Sequence, residues 1–368
     1  MILRTAEYRE RLDVEGAQWS EHGGAAVVAH FGSVDDEWRA VRQGGIGVAD
    51  RAERETFVLT GTEAIPWLQG LVTNDLFALV EEGSGQRTHA VNRIGRAIAD
   101  ARVLHIPEML LLDLEPGTVA SGFAGHLRRH IINEDVKLTD RTVPTGHLGV
   151  YGMDAAEFLA ELMDTAHPIE RLQEYQGTWG SVAGEDVIVQ RIPLVGEPSF
   201  ELMFAREANA RLFSLLLEHS AAVRPIGFDA LEELRKEAGV PRFGVEYDDS
   251  IIPIEADLNH TIDYDKGCYL GQEVIHRLDT RGTPAKFLRM VVTEQEHALS
   301  PGDVLEFEGK KVGELRDVFT SRHMARTLAL AYIKRGAYDE GTSVDVTHGE
   351  EKIPARVQPL GYPLNQDY

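Results

Sequence analysis

The chain has 368 residues and a formal net charge of −23, from 60 Asp and Glu against 37 Lys and Arg. Such a surface repels nucleic-acid phosphate and anionic lipid, and no run of about 18 apolar residues offers a membrane span. Nucleic-acid and membrane partners are therefore not expected, whereas a small anionic ligand is admissible wherever Lys and Arg gather in a cleft. A single cysteine, Cys268, and a start (Met1-Ile2-Leu3-Arg4) without an apolar core of signal-peptide length point to a reducing, cytoplasmic setting. Hydrophobic residues at 43% suffice for packed cores in two or three domains.

In chain order, Phe57 to Gly61 predicts a short strand closed by a glycine turn. Apolar residues at helical spacing follow from Thr62 to Leu71. Thr73, Asn74 and Asp75 are turn and cap formers. Ile98 to Ile106 and Met109 to Leu114 predict two strands, and Val119 to Ile131 a helix. The same order returns at an offset of 91 residues, counted from Phe57 to Leu148. There Leu148 to Gly152 predicts the strand, Met153 to Leu162 the first helix, Val187 to Ile192 and Ser199 to Phe204 the two strands, and Ala208 to His219 the second helix. One unit used twice predicts an α+β fold of two lobes related by duplication.

Beyond Arg281-Gly282-Thr283-Pro284 the helix signals fade. Phe287 to Thr293, Val304 to Phe307, Lys311 to Arg316, Thr327 to Ile333, Ser343 to Thr347 and Lys352 to Val357 predict six strands, with Glu308-Gly309-Lys310 as a tight hairpin turn. Six short strands predict a small C-terminal β-barrel or sandwich. The expected domains are residues 1–145, 146–280 and 281–368.

Several chemistries are excluded first. His126 and His130 share a helix face but have no third ligand nearby, so no metal site is expected. Gly44-Gly45-Ile46-Gly47 follows a helical run and not a strand, which argues against a phosphate cradle. No serine nucleophile elbow is present. Three places hold more. Asp100 interrupts the apolar strand Ala97 to Leu104, where an acid is costly unless it is paired or points into a cleft. Arg102 shares its strand face and is the ordinary partner. Glu197 lies in the turn Gly196-Glu197-Pro198 between two strands. It reads either as a solvated turn residue or as a rigid carboxylate that accepts two parallel N–H bonds. Cys268 lies in Lys266-Gly267-Cys268-Tyr269-Leu270-Gly271-Gln272-Glu273, closed by Arg277. It reads either as a small buried filler or as a thiol whose ionised form Lys266 and Arg277 favour.

The Lys266 to Glu273 run with Arg277 resembles the signature of YgfZ, within the tetrahydrofolate-binding superfamily that includes the glycine-cleavage T-protein. The resemblance extends through Gly47-Val48-Ala49-Asp50, Leu71-Val72-Thr73-Asn74-Asp75, Leu234-Arg235-Lys236-Glu237-Ala238-Gly239, Pro253-Ile254-Glu255-Ala256 and Leu328 to Ile333. It implies two α+β lobes and a six-stranded C-terminal β-barrel, with tetrahydrofolate or a one-carbon derivative in a central channel. It places Glu197 where the family's glutamate grips the pterin. It also implies Asn74, Lys266, Tyr269, Gln272 and Arg277 on the folate side, with Lys266, Arg277 and Arg281 supplying positive charge. The reacting residues it implies are Cys268 and Asp100.

The sequence departs from T-proteins in three places. Ala99 precedes Asp100 where T-proteins carry consecutive aspartates, Leu194 stands in place of a tyrosine, and Ala230-Leu231-Glu232 replaces an Ala-Arg-Asp run. The YgfZ branch is the expected assignment. It implies a folate-binding protein that supports iron–sulfur cluster assembly or repair, with iron–sulfur client proteins as partners. A folate-dependent aminomethyltransferase or demethylase is the alternative, and an adaptor that has lost its ligand is a third reading.

Overall fold

The computed structural model describes residues 4–364, with the side chain of Arg281, one of the positively charged sequence candidates, outside the described residues. The chain forms two compact units. One contains the residues up to Ala90, Ile98–Leu234 and Asp265–Tyr269; the other contains Val91–Ala97, Arg235–Tyr264 and the residues from Leu270 onward.

The first unit is built on two large sheets, beside a two-stranded one of Gln18–His22 and Ala25–His30. The five-stranded sheet runs in the order Gly85–Val91, Ala97–Ile106, Met109–Leu114, Glu55–Thr60, Lys137–Asp140. The seven-stranded sheet runs Asp164–Thr165, Gly177–Val182, Glu185–Arg191, Ser199–Ala205, Thr145–Tyr151, Ile46–Asp50, Val223–Ile226. Its strands pair antiparallel except Val223–Ile226, which lies parallel to Ile46–Asp50.

Both stretches read as copies adopt the predicted order. Glu55–Thr60 leads into the helix Ala64–Gln69, and Thr145–Tyr151 into the helix Ala155–Leu162. The helix Asn209–His219 closes the second stretch, burying Ala210, Leu212, Phe213 and Leu216. The helix expected over Val119 to Ile131 is shorter, Phe123–Arg128. The carboxylate of Glu55 accepts from the N–H groups of Gly117 (3.0 Å) and Val119 (2.6 Å), which holds the approach in turns. Gly122 then takes φ +95°, outside the helical region.

Period-2 alternation decides what each face of the five-stranded sheet does. Ala99, Ala101 and Val103 join Phe57, Leu59, Leu110, Leu112 and Leu114 in a core with the helical residues Trp67, Leu68, Phe123 and Leu127. Asp100, Arg102 and Leu104 therefore point to the other face. There Leu104, Ile106 and Leu111 pack with Met203 of the seven-stranded sheet. Asp100 thus lies on the strand face turned toward the second sheet's layer, not on the helix-covered side.

The second unit holds a closed six-stranded barrel, in the order Lys286–Thr293, Arg326–Lys334, Lys310–Ser321, Val304–Phe307, Ser343–His348, Glu351–Gln358. All six predicted strands are present. Lys310–Ser321 outruns the expected Lys311 to Arg316 because a bulge between Leu315 and Asp317 lets pairing with Arg326–Lys334 continue. The hairpin Glu308-Gly309 has both residues at positive φ, 50° and 71°, as a two-residue turn of this hand requires. Ala329, Ala331 and Ile333, with Val344, Val346, Ile353, Ala355 and Val357, fill one face at strand periodicity. Among the described residues, no helix is long and apolar enough to cross a membrane.

Candidate functional site

The strand Gly85–Val91 neighbours Ala97–Ile106 and brings an arginine onto Asp100. Arg87 Nε donates to Asp100 Oδ1 (3.0 Å) and Oδ2 (3.2 Å), and Nη2 donates to Oδ2 (2.6 Å). Both side chains are buried, 8% and 7% exposed. His89, on the same strand and fully buried, places Nε2 at 3.9 Å from Asp100 Oδ1. The expected partner, Arg102, is not the one used. It lies opposite Asp113 in the strand register, donates to Asp113 Oδ2 (3.1 Å), and reaches within 3.8 Å of Glu201 Oε1. The reason is geometric: cross-strand neighbours sit closer than residues i and i+2 on one strand.

The Leu71 to Leu76 segment is laid along the same strand. Thr73 N–H donates to His89 O (2.9 Å), and His89 N–H donates to Thr73 Oγ1 (3.0 Å). Asn74 N–H donates to Thr88 Oγ1 (2.9 Å), and Asn74 Nδ2 donates to Arg87 O (3.0 Å). Gln69 closes the loop from behind, accepting from Leu76 N–H (2.7 Å) and donating to Asp75 Oδ1 (2.7 Å). Lys266 Nζ then donates to three carbonyls, Gln69 O (2.9 Å), Val72 O (2.8 Å) and Asn74 O (2.7 Å). These bonds use the three donors of an ammonium. Tyr269 is buried, with its ring centre 5.1 Å from Lys266 Nζ.

Lys266, Asn74, Arg87 and Asp100 therefore form one connected set, running from the cysteine segment through the loop to the strand carboxylate. The three carbonyl bonds anchor the Lys266 ammonium to this loop.

Cys268 itself is exposed, which removes the buried-filler reading. Gly267 has open space around a built Cβ, so nothing in the structure explains why that position is glycine. Gly271 is explained: its φ is +84°, and a Cβ would come within 2.3 Å of Asn92 O. Gln272 opens the helix Gln272–Arg281. On that helix Arg277 is exposed and pairs with Glu273 (2.8 Å), one turn away.

Glu197 belongs to a second group. Gly196 (φ +95°) turns the chain, Val195 is buried, and Ser199 Oγ donates to Glu197 O (2.7 Å). The Glu197 carboxylate pairs with Arg42, whose guanidinium also donates to Val195 O and to Leu234 O (3.2 Å). The turn holds an oriented carboxylate, 15% exposed, and not a solvated side chain. Leu194, where T-proteins carry tyrosine, is buried.

Sequence reasoning missed Arg87, Arg42 and a buried ionic layer. Arg51 bonds Glu53 (2.8 Å), Glu201 (2.8 Å) and Tyr151 Oη (3.0 Å); Arg54 bonds Asp113 (2.5 Å) and Glu115 (2.7 Å). Burial works to raise Asp113, but Arg54 and Arg102 outweigh it and hold the carboxyl below its ordinary value. Burial wins at Glu201, which is raised despite Arg51 and Arg102. Burial also lowers His147 to about 4, so its imidazole, 2.7 Å from Thr56 Oγ1, is neutral. The one available signal for Arg87 is that Arg87 and His89, two residues apart, share a face of one strand.

A cleft of about 960 Å³ also opens in the first unit, over Met109, Trp179, Ile188 and Met203. Asp100, Glu197, Asn74, Lys266 and Cys268 are not among its walls.

Residues 8–266 match the GCVT N-terminal domain family, and residues 286–361 match the glycine cleavage T-protein C-terminal barrel domain. An aminomethyltransferase of Herpetosiphon aurantiacus is 27% identical over 345 residues, covering 93% of each chain. One from Thermotoga neapolitana is 27% identical over 359 residues, covering 97% of this chain and 96% of its own. The solved glycine cleavage system aminomethyltransferase T from Bartonella henselae superposes with a TM-score of 0.87 at 21% identity, covering 98% of both chains, and so shares the fold.

Proposed function

We propose that this chain, which belongs to the glycine cleavage T-protein family, is a folate-dependent aminomethyltransferase in which Asp100 is the reacting carboxylate. The observation that carries this reading is the buried Asp100, clamped by Arg87 and tied through Asn74 to Lys266. An anion held in a dry, fixed geometry acts on charge developing in a bound substrate far more strongly than one in water. Electrostatics and proton transfer are both open to it.

The fit to tetrahydrofolate rests on Glu197. Its orientation by Arg42 and Ser199 suits a carboxylate that grips the N–H edge of a pterin ring. Asn74 and Tyr269 are further folate-side candidates, as are Gln272 and Arg277. When bound, tetrahydrofolate supplies the nitrogen that accepts a one-carbon unit; the chain's residues bind and orient it. The lobes 1–145 and 146–280 and the C-terminal domain 281–368 are part of the same proposal, as is a cytoplasmic setting. Incubating the chain with tetrahydrofolate and an aminomethyl donor tests it. One-carbon loading of the folate supports the reading, and its absence with every donor tried contradicts it.

A second reading has its own observation. Cys268 is exposed within a segment that Lys266 anchors, as a working thiol requires. It supports the YgfZ-like role, a folate-binding protein serving iron–sulfur client proteins. Complementation of an iron–sulfur enzyme defect by the wild-type chain but not by Cys268→Ala supports that role, and full complementation by the variant contradicts it.

A further inference from the structure

Asp100 is held by Arg87, a residue to which the proposed function gives no part. The Arg87 guanidinium approaches it as a fork, with Nε to both carboxylate oxygens and Nη2 to Oδ2 at 2.6 Å. A planar fork of this kind fixes the carboxylate's orientation, which a point charge such as an ammonium does not. The fork is itself fixed, because Arg87 O accepts from Asn74 Nδ2 and the loop carrying Asn74 hangs on Lys266.

Other titratable and charged groups face the pair. His89 stands 3.9 Å from Asp100 Oδ1 on the same strand as Arg87. Arg102 follows on Asp100's own strand and is bonded to Asp113. Tyr175 lies within electrostatic reach of Arg87, Arg102 and Asp100, with Glu174 beside it. Tyr175 also sits in the left-handed region (φ 65°), where few side chains other than glycine are found. Its N–H donates to Arg191 O (2.7 Å) and its carbonyl accepts from Gln190 Nε2 (2.9 Å), so the surrounding strands enforce that backbone.

We propose that Arg87 is a positioning residue for Asp100: its guanidinium fork fixes the carboxylate in one orientation and one charge state, so that Asp100 meets its ligand as an oriented anion. This rests on the reading of Asp100 as the reacting carboxylate. It adds that the geometry of the fork, and not burial alone, prepares it.

The test uses Arg87→Met and Arg87→Lys in the full chain, with thermal unfolding recorded for each. In tetrahydrofolate-dependent turnover, Arg87→Met loses about tenfold or more in kcat while KM for tetrahydrofolate stays within about twofold. The acid limb of its pH profile moves upward, and Arg87→Lys recovers part of the loss. A folded Arg87→Met with wild-type kcat and pH profile overturns the proposal, as does an Arg87→Lys no better than Arg87→Met.

A second readout needs no activity. In protein labelled with ¹³C at aspartate carboxyls, with the Asp100 signal assigned from Asp100→Asn, the Asp100 carboxyl protonates at higher pH in Arg87→Met than in wild type. An unchanged midpoint overturns the positioning claim. Absence of turnover in the wild type together with a moved midpoint overturns the function reading and leaves the positioning claim standing.

Discussion

Asp100 and Cys268 are both candidates for the reacting group, and their surroundings differ in kind. Asp100 is 7% exposed, receives three hydrogen bonds from one guanidinium and sits on a central strand. Cys268 is exposed, beside a glycine with open space around it. Lys266 serves the first of these regions although it belongs by sequence to the second. Its ammonium holds the loop behind Asn74. A carboxylate prepared in this way is suited to electrostatic work on a bound ligand, whereas an exposed thiol is suited to meeting a partner from solution. The two proposed functions divide along that line.

Four variants sharpen or break the contrast, from the largest expected effect to the smallest. Lys266→Met leaves three carbonyls, two of them buried, without their lysine donor, and costs about 4 kcal/mol in chemical denaturation. A loss no larger than that of a surface substitution breaks the link from Lys266 to Asp100. His147 tests the buried ionic layer. Folded, it takes a proton only near pH 4, because burial disfavours the imidazolium; unfolded, it does so near pH 6.5. Its contribution is therefore complete above about pH 6.5 and is lost as pH falls toward 4, by about 3 kcal/mol. His147→Gln should flatten that part of the stability-versus-pH curve, and an unchanged slope contradicts the assignment.

Gly271→Ala forces a side chain into φ +84° against Asn92 O, and costs about 2 kcal/mol by thermal unfolding. Cys268→Ala costs less than about 0.5 kcal/mol, as expected for an exposed side chain. In the native wild type, one equivalent of a thiol reagent reacts rapidly. Slow reaction that needs denaturant contradicts the exposed placement.

These effects also mark what could be read from sequence. The barrel was legible because its strands alternate and its turns carry Gly at positive-φ positions, as at Gly309 and Gly341. The order of strands and helices in both α+β stretches was legible for the same reason, while the helix near Phe123 was overestimated because Glu55, distant in sequence, caps the preceding turns. Asp100 was visible as an acid in an apolar run. Its partner was not, because pairing Arg87 with Asp100 depends on which strands become neighbours. The same holds for Arg42 with Glu197, 155 residues apart, and for Arg51 with Glu201, 150 apart. Lys266 was found by motif, but its three carbonyl partners were not legible, because they lie 192 to 197 residues away in the chain.

The central claim is that Asp100, and not Cys268, is the reacting group. The most direct measurement is one assay of tetrahydrofolate-dependent one-carbon transfer run in parallel on wild type, Asp100→Asn and Cys268→Ala. The account predicts that Asp100→Asn falls by about a hundredfold or more, while Cys268→Ala stays within about twofold of wild type. Full activity in Asp100→Asn with loss in Cys268→Ala would contradict it and transfer the reacting role to the thiol.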